Sequence, residues 1–304
     1  MIREPTVLVL GAGASMDYGF PSGWQLACNV VHGCLQNAQL TQLILQKSYT
    51  QDQIREFGIA LRDSGSRSVD MFLANRDDLV PLGKLAIAGA LIPHEVSANV
   101  HAMGTGPGWL RILFERLYAS RNLWKRNALS IVTFNYDRVI EHFLHYAIMN
   151  QFGLSAADAA DLLTSTVQVV HVHGQMGLLA EMVGDDPRAR RFEPQLTVQS
   201  LSTAAEGIRI LHEGADGDDP FVLARHLIEQ AAQVIFLGFG YHPVNMQRLA
   251  LQYTLRGKSV LGSSVGMSFR DRELVGRDTQ TLLKVDPRGQ DLPTFLCDNP
   301  ILGH

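Results

Sequence analysis

Four short motifs hold the residues able to do chemistry: Gly11-Ala12-Gly13-Ala14-Ser15, Thr133-Phe134-Asn135-Tyr136-Asp137, His173-Gly174 and Gly238-Phe239-Gly240. The strongly polar side chains they deliver are one Asn, one Asp and one His. That set is poor for a metal, which takes several ligands, and poor for phosphoryl transfer, which needs cations around the phosphate. It suits a different task, holding a ligand by the main chain and activating one hydroxyl or water. A histidine with a pKa near ~6.5 accepts a proton at neutrality, and a well-placed general base contributes ~10²–10⁴ in rate. The two glycine turns suit a ligand with a diphosphate and a ribose, because without a Cβ the backbone N–H groups can approach a phosphate. The first turn is weak evidence alone: Met16 stands where a dinucleotide fingerprint has its third glycine, and a ligand-free tight turn reads the same way.

These motifs need a scaffold that brings them together. Each follows an apolar run, at 7–10, 129–134, 167–172 and 234–237, and a further strand is expected at 259–261 with an edge strand near 282–285. Strands apolar on both faces, alternating with helices, indicate an α/β fold: a Rossmann-like parallel sheet with helices on both faces. Ligands of such sheets bind beyond the carboxyl ends of the strands, so all four motifs would face one crevice. Residues 22–128 read as a large helical insertion after the first strand, inside a single domain spanning 1–304. Its helices are marked by Ser22 with Gln25 at capping-box spacing, by Ile54, Phe57, Ala60 and Leu61, by Pro81 at a helix start, and by Leu110, Leu113, Phe114 and Leu117. The last of these should open at Pro107-Gly108 and end near Arg121-Asn122. Later helices are expected over 139–148, 156–163, 221–230 and 245–255. Residues 181–193 and 213–220 read as exposed loops.

Composition narrows the partners. With 26 basic against 30 acidic residues and no long basic run, charge gives no reason for a direct nucleic-acid ligand. Three cysteines, Cys28, Cys34 and Cys297, exclude a four-thiolate zinc site and point to a reducing compartment. The amino terminus lacks the layout of a signal peptide, and the longest apolar stretch, 85–92, is far short of the ~20 residues of a membrane span. A cytoplasmic protein without membrane contact is therefore expected, and low charge fits a homo-oligomer.

The order of the motifs resembles the sirtuin family. Gly-Ala-Gly-Ala-Ser with Gly19-Phe20-Pro21, then Thr-x-Asn-x-Asp, His-Gly and Gly-x-Gly are similar to its bacterial NAD-consuming branch. That branch includes antiphage effectors of the Thoeris type and the sirtuin-like partners of Argonaute-like proteins and HerA-like ATPases. The stretch Ser68-Val69-Asp70-Met71-Phe72-Leu73 is similar to a segment of the same group. The resemblance covers the sheet-forming half of the chain. It implies NAD+ as substrate and no metal, with hydrolysis to nicotinamide and ADP-ribose. Asn135 and His173 match the catalytic pair. Gly11, Ala12, Gly13, Ser15, Pro21, Thr133, Gly174, Gly238 and Gly240 match the dinucleotide contacts. Asp137 stands equally for a contact to the nicotinamide carboxamide and for a helix N-cap. His171, two residues before His173 on the same strand face, could support it, with packing the expected role.

The chain departs from the zinc-bearing deacylases of that family. It has no cysteine pairs, and Ser22-Gly23-Trp24 replaces the usual Asp-Phe-Arg. Deacylation or ADP-ribosyl transfer, and sensing of NAD or ADP-ribose without turnover, are the alternatives. Activation through self-assembly, or by a companion ATPase or Argonaute-like chain, is expected. Other signals fail. Gly257-Lys258-Ser259 lacks a phosphate-loop glycine at Gln252. His142 and His145 share a helix face with no further ligand and are read as solvated or at an interface. Arg188, Arg190 and Arg191 are read as an exposed patch.

Overall fold

Apolar residues on both faces of five-residue strands build the centre of the molecule. The computed structural model describes residues 1–104, 106–210 and 219–299. The strands are β1 (Thr6–Leu10), β2 (Leu129–Thr133), β3 (Gln168–His171), β4 (Leu178–Leu179), β5 (Ala189–Arg190), β6 (Gln233–Leu237), β7 (Ser259–Gly262) and β8 (Lys284–Val285). Six of them form one sheet in the order β3-β2-β1-β6-β7-β8, every neighbouring pair parallel. The pair β4-β5 stands apart. The fold is therefore α/β, with a helical segment after β1.

Alternation along the strands feeds two hydrophobic cores. Leu8, Leu10, Ile131, Ile235 and Leu237 point into one, and Val7, Val9, Val132, Val234 and Phe236 into the other. The first core takes in the segment between β1 and β2 together with the helices Val139–Phe152, Ala156–Thr164 and Val198–Gly207. The second is closed by Pro220–Gln230, Pro243–Arg248 and Phe269–Asp278.

The segment after β1 starts helices where caps were expected, at Ser22 and Pro81, and adds one at Thr50 that was not. Ser22 and Gln25 form a capping box at the start of Gly23–Gln36, and Thr50 and Gln53 form another at the start of Gln51–Asp63. Pro81 lies in the first turn of Val80–Leu91. Apart from the half-buried Lys84, that helix is buried from Leu82 to Leu91, which explains its apolar run. Among the described residues no helix is long and apolar enough to cross a membrane.

Some expectations differ in detail. The helix opening after Gly108 stops at Arg116, not near Arg121, because Asn127 Nδ2 takes the Leu117 carbonyl that a continuing helix would use. The helix expected over 245–255 is broken into Pro243–Arg248 and Leu251–Thr254: Ala250 takes a left-handed conformation, and Leu249 and Leu251 are both buried. The loop 181–193 carries one turn of helix and β5. Most of the acidic loop 213–220 lies outside the described residues.

Candidate active site

The backbones at the carboxyl ends of β1 and β6 approach each other closely. Gly238 adopts φ +57°, and a Cβ on it would stand 2.1 Å from Ala14 N. One on Gly11 would stand 2.6 Å from Gly238 O. Gly13 N donates to Gly238 O at 3.0 Å, Gly11 N to Leu237 O, and Gly238 N to Ser263 Oγ at 2.9 Å. The two glycine turns interlock, which is a structural reason for these glycines beside any ligand.

Above this junction opens a cavity of about 620 Å³. Gly11, Ala12, Gly13, Gly238 and Gly240 form one side of it, and Asn135 and His173 also line it. Seven of the expected site residues therefore meet in one cavity. Ser22, Ser68, Asp70 and Met71 of the helical segment line it as well, as do 263–267 after β7.

Four expected residues lie behind this surface rather than on it. Asn135, 8% exposed, donates through Nδ2 to Gly11 O and to Ser15 Oγ, both at 3.1 Å. Its backbone N–H donates to Thr133 Oγ1 at 3.1 Å. Ser15 is buried and also hydrogen-bonds Asp137. Asp137 Oδ1 accepts from Val139 N at 3.1 Å, but the N-cap of the helix Val139–Phe152 is the next residue, Arg138, in place of the expected Asp137. Burial drives the Asp137 carboxyl up to about 6, against the pull of Ser15, Val139 and His171. Ser15, Thr133 and Asp137 thus hold Asn135. With both Nδ2 hydrogens engaged, Asn135 Oδ1 is the atom offered to the cavity. Pro21, the fourth, is buried beside the first turn.

His173 is 6% exposed and walled by aromatic rings: Phe134 at 5.5 Å, Phe221 at 5.6 Å and Tyr136 at 6.3 Å between centroids. Burial lowers its pKa, Asp70 opposes this and Arg248 adds to it, so the net direction is down. The ring is neutral at pH 7 and able to accept a proton. Gly174 turns away from the cavity. Its φ is +69°, a Cβ there would meet Gly207 O at 2.0 Å, and it bridges to Ile208. Arg209 N donates to the His173 carbonyl at 2.8 Å, so this turn fixes where the imidazole points.

Asp70 is the site residue whose role the motifs left unassigned. It lines the cavity and accepts from the Tyr136 hydroxyl. Its only sequence signal was the 68–73 segment. Asp17 and Asp291 also line the cavity, and among the described lining residues there is no lysine or arginine. With the N–H groups of Gly11, Gly13 and Gly238 already bonded within the protein, a ligand's anionic parts would meet the serine hydroxyls and the remaining turn N–H groups there, and a cationic part would meet Asp17, Asp70 or Asp291.

A buried ion network ties the helical segment to this site. Arg138, next to Asp137, contacts both Glu95 oxygens through Nη2 at 2.8 Å, and Arg190 Nη1 reaches Glu95 Oε2 at 2.6 Å. Arg190 is thus buried and paired, contrary to the exposed-patch reading, because Glu95 has to be neutralised in the core. His142 and His145 are buried too, not solvated. His142 stacks on Phe192 at 4.1 Å and meets Ser97 Oγ, and His145 meets the Ala156 carbonyl. Helix Ala156–Thr164 and the segment carrying Phe192 cover the face that a helix-only reading left to solvent. Among the described residues no group of three or more His, Cys, Asp or Glu is arranged to hold a metal ion. No protein-family model matches the chain, and no curated protein matches it significantly.

Proposed function

We propose that the protein is an NAD+ hydrolase with a Rossmann-like fold, releasing nicotinamide and ADP-ribose. The observation that carries this reading is the convergence of both glycine turns, Asn135 and His173 on one cavity. Within the main sheet alone the strand order is third, second, first, fourth, fifth, sixth, which is the doubly wound dinucleotide-binding order. The cavity sits where that order reverses, beyond the ends of β1 and β6. The resemblance of the four motifs to sirtuin-like NAD-consuming effectors supports the same substrate.

In this reading the diphosphate lies over the turns 11–13 and 238–240, and the nicotinamide ribose faces Asn135 and His173. Asn135 Oδ1 accepts a hydrogen bond from the attacking water or a ribose hydroxyl. The water oxygen bonds to the anomeric carbon as its bond to the pyridinium nitrogen breaks. That electron pair neutralises the ring, nicotinamide leaves, and His173 takes the proton from water. Asp70 complements the cationic pyridinium and the positive charge that builds on the sugar. The activity is switched on by self-assembly or by a companion chain of the HerA-like ATPase or Argonaute-like kind.

Turnover with water as the only acceptor tests the reaction type. Hydrolysis gives free ADP-ribose in an amount equal to the nicotinamide released. Nicotinamide release that requires an acyl-peptide or protein acceptor would replace this reading with group transfer.

A further inference from the structure

His171 lies between two acceptors. Its Nε2 is 2.6 Å from Glu141 Oε1, and its Nδ1 is 2.9 Å from the backbone carbonyl oxygen of Asn135. A carbonyl oxygen only accepts, and an ionised carboxylate only accepts. With Glu141 ionised, both contacts are hydrogen bonds only if both ring nitrogens carry hydrogen. A neutral ring would turn a lone pair toward one of these oxygens in a site where the His171 and Glu141 side chains are 7% and 13% exposed.

The charged groups that act on the ring are Glu141, from the helix Val139–Phe152, and Asp137, from the turn after β2, and the cavity on its open side also carries Arg188, Glu206, Arg209, Asp219 and His226. Burial would lower the pKa of His171. Glu141 overrides it, Asn135 and Asp137 add to the same side, and the net direction is up. His171 ends β3 and Asn135 follows β2, its neighbour in the sheet, so the contact spans the two strands that deliver His173 and Asn135.

We infer that His171 is a permanently protonated clamp, locked by Glu141, that fixes the Asn135 peptide and so aims the Asn135 side chain into the cavity. It is a positioning residue. The protonation part stands on the two contacts with Glu141 ionised, whereas the kinetic part rests on the NAD+ reading.

The test uses the full chain with ¹⁵N-labelled histidine and follows the ring nitrogens by NMR from pH 5 to 9. His171 should remain doubly protonated at pH 8, well above the ordinary ~6.5. In Glu141→Gln it should titrate at or below that value. Nicotinamide release by Glu141→Gln should then fall about tenfold in kcat with KM unchanged, and more at pH 8 than at pH 6, while Glu141→Asp recovers most of it. A fold-only role would lower thermal stability without bending the pH profile. A neutral His171 in the wild type at pH 7 overturns the inference, and that measurement needs no variant to fold. A Glu141→Gln enzyme with a wild-type pH profile overturns it too. Absence of nicotinamide release in the wild type counts against the hydrolase reading and leaves the NMR result to decide the clamp.

Discussion

Asn135 Nδ2 donates to the carbonyl oxygen of Gly11 at 3.1 Å, joining β2's end to β1's turn across 124 residues of sequence. The same nitrogen reaches Ser15 Oγ at 3.1 Å, and Ser15 in turn hydrogen-bonds Asp137. The carboxamide is therefore preset, with its oxygen presented to the cavity. Asn135→Ala should lower nicotinamide release by about 10²–10³, the cost of losing one aimed polar group in an active site. Ser15→Ala should cost roughly tenfold, because it loosens that group without removing it. Steady-state kinetics on folded variants decide both.

His173 gives the acid limb of the pH profile. Its pKa is lowered by burial, and its neutral form is the working base. The rate should climb as pH rises through a value below ~6.5 and then level off. His173→Ala should remove about 10²–10⁴ in rate and abolish this limb. A wild-type profile that falls as pH rises from 5 to 7 would assign the base elsewhere.

Asp137 couples stability to pH in the opposite sense from a salt-bridged carboxylate. Its folded pKa is raised, from 3.8 to about 6, so the native state holds the proton more tightly than the unfolded chain. Its contribution is fully present below pH 3.8 and is lost as pH rises through about 6. By pH 8 that loss is of order 1–3 kcal/mol. Asp137→Asn, which keeps an acceptor for the Val139 N–H, should flatten this slope. Denaturant unfolding at pH 5 and pH 8 measures it.

Glu95→Ala should destabilise the protein by about 3–5 kcal/mol, because Arg138 and Arg190 would be left buried without their carboxylate. Arg138 adjoins Asp137, so the same variant should also loosen the turn carrying Asn135. Unfolding midpoints of Glu95→Ala and Glu95→Gln test this, and equal stability of all three proteins would contradict it.

The strands were readable because burial on both faces leaves an unbroken apolar run, as in Val7-Leu8-Val9-Leu10 and Val234-Ile235-Phe236-Leu237. Helix starts were readable where a cap is local, as at Ser22 and Pro81. What depends on distant partners was not. The charge state of His171 needs Glu141 and the Asn135 carbonyl, and the burial of Arg190 needs Glu95, 95 residues away. The left-handed turn at Ala250 carries no glycine to announce it. Gly11, Gly13 and Gly238 read as ligand contacts, while the structure adds that they touch one another. Asp70 belongs to a one-turn helix whose place at the cavity follows only from how the helical segment folds back over β1.

The account's central claim is turnover of NAD+ at the cavity that holds Asn135 and His173. Its most direct test is nicotinamide release from NAD+ by the full-length protein, alone at high concentration and with candidate companion chains, alongside Asn135→Ala and His173→Ala. The account predicts equimolar nicotinamide and ADP-ribose from the wild type and release lowered by about 10²–10⁴ in either variant. Stoichiometric binding of NAD+ or ADP-ribose with no product in any of these conditions would contradict it, as would an unimpaired double variant.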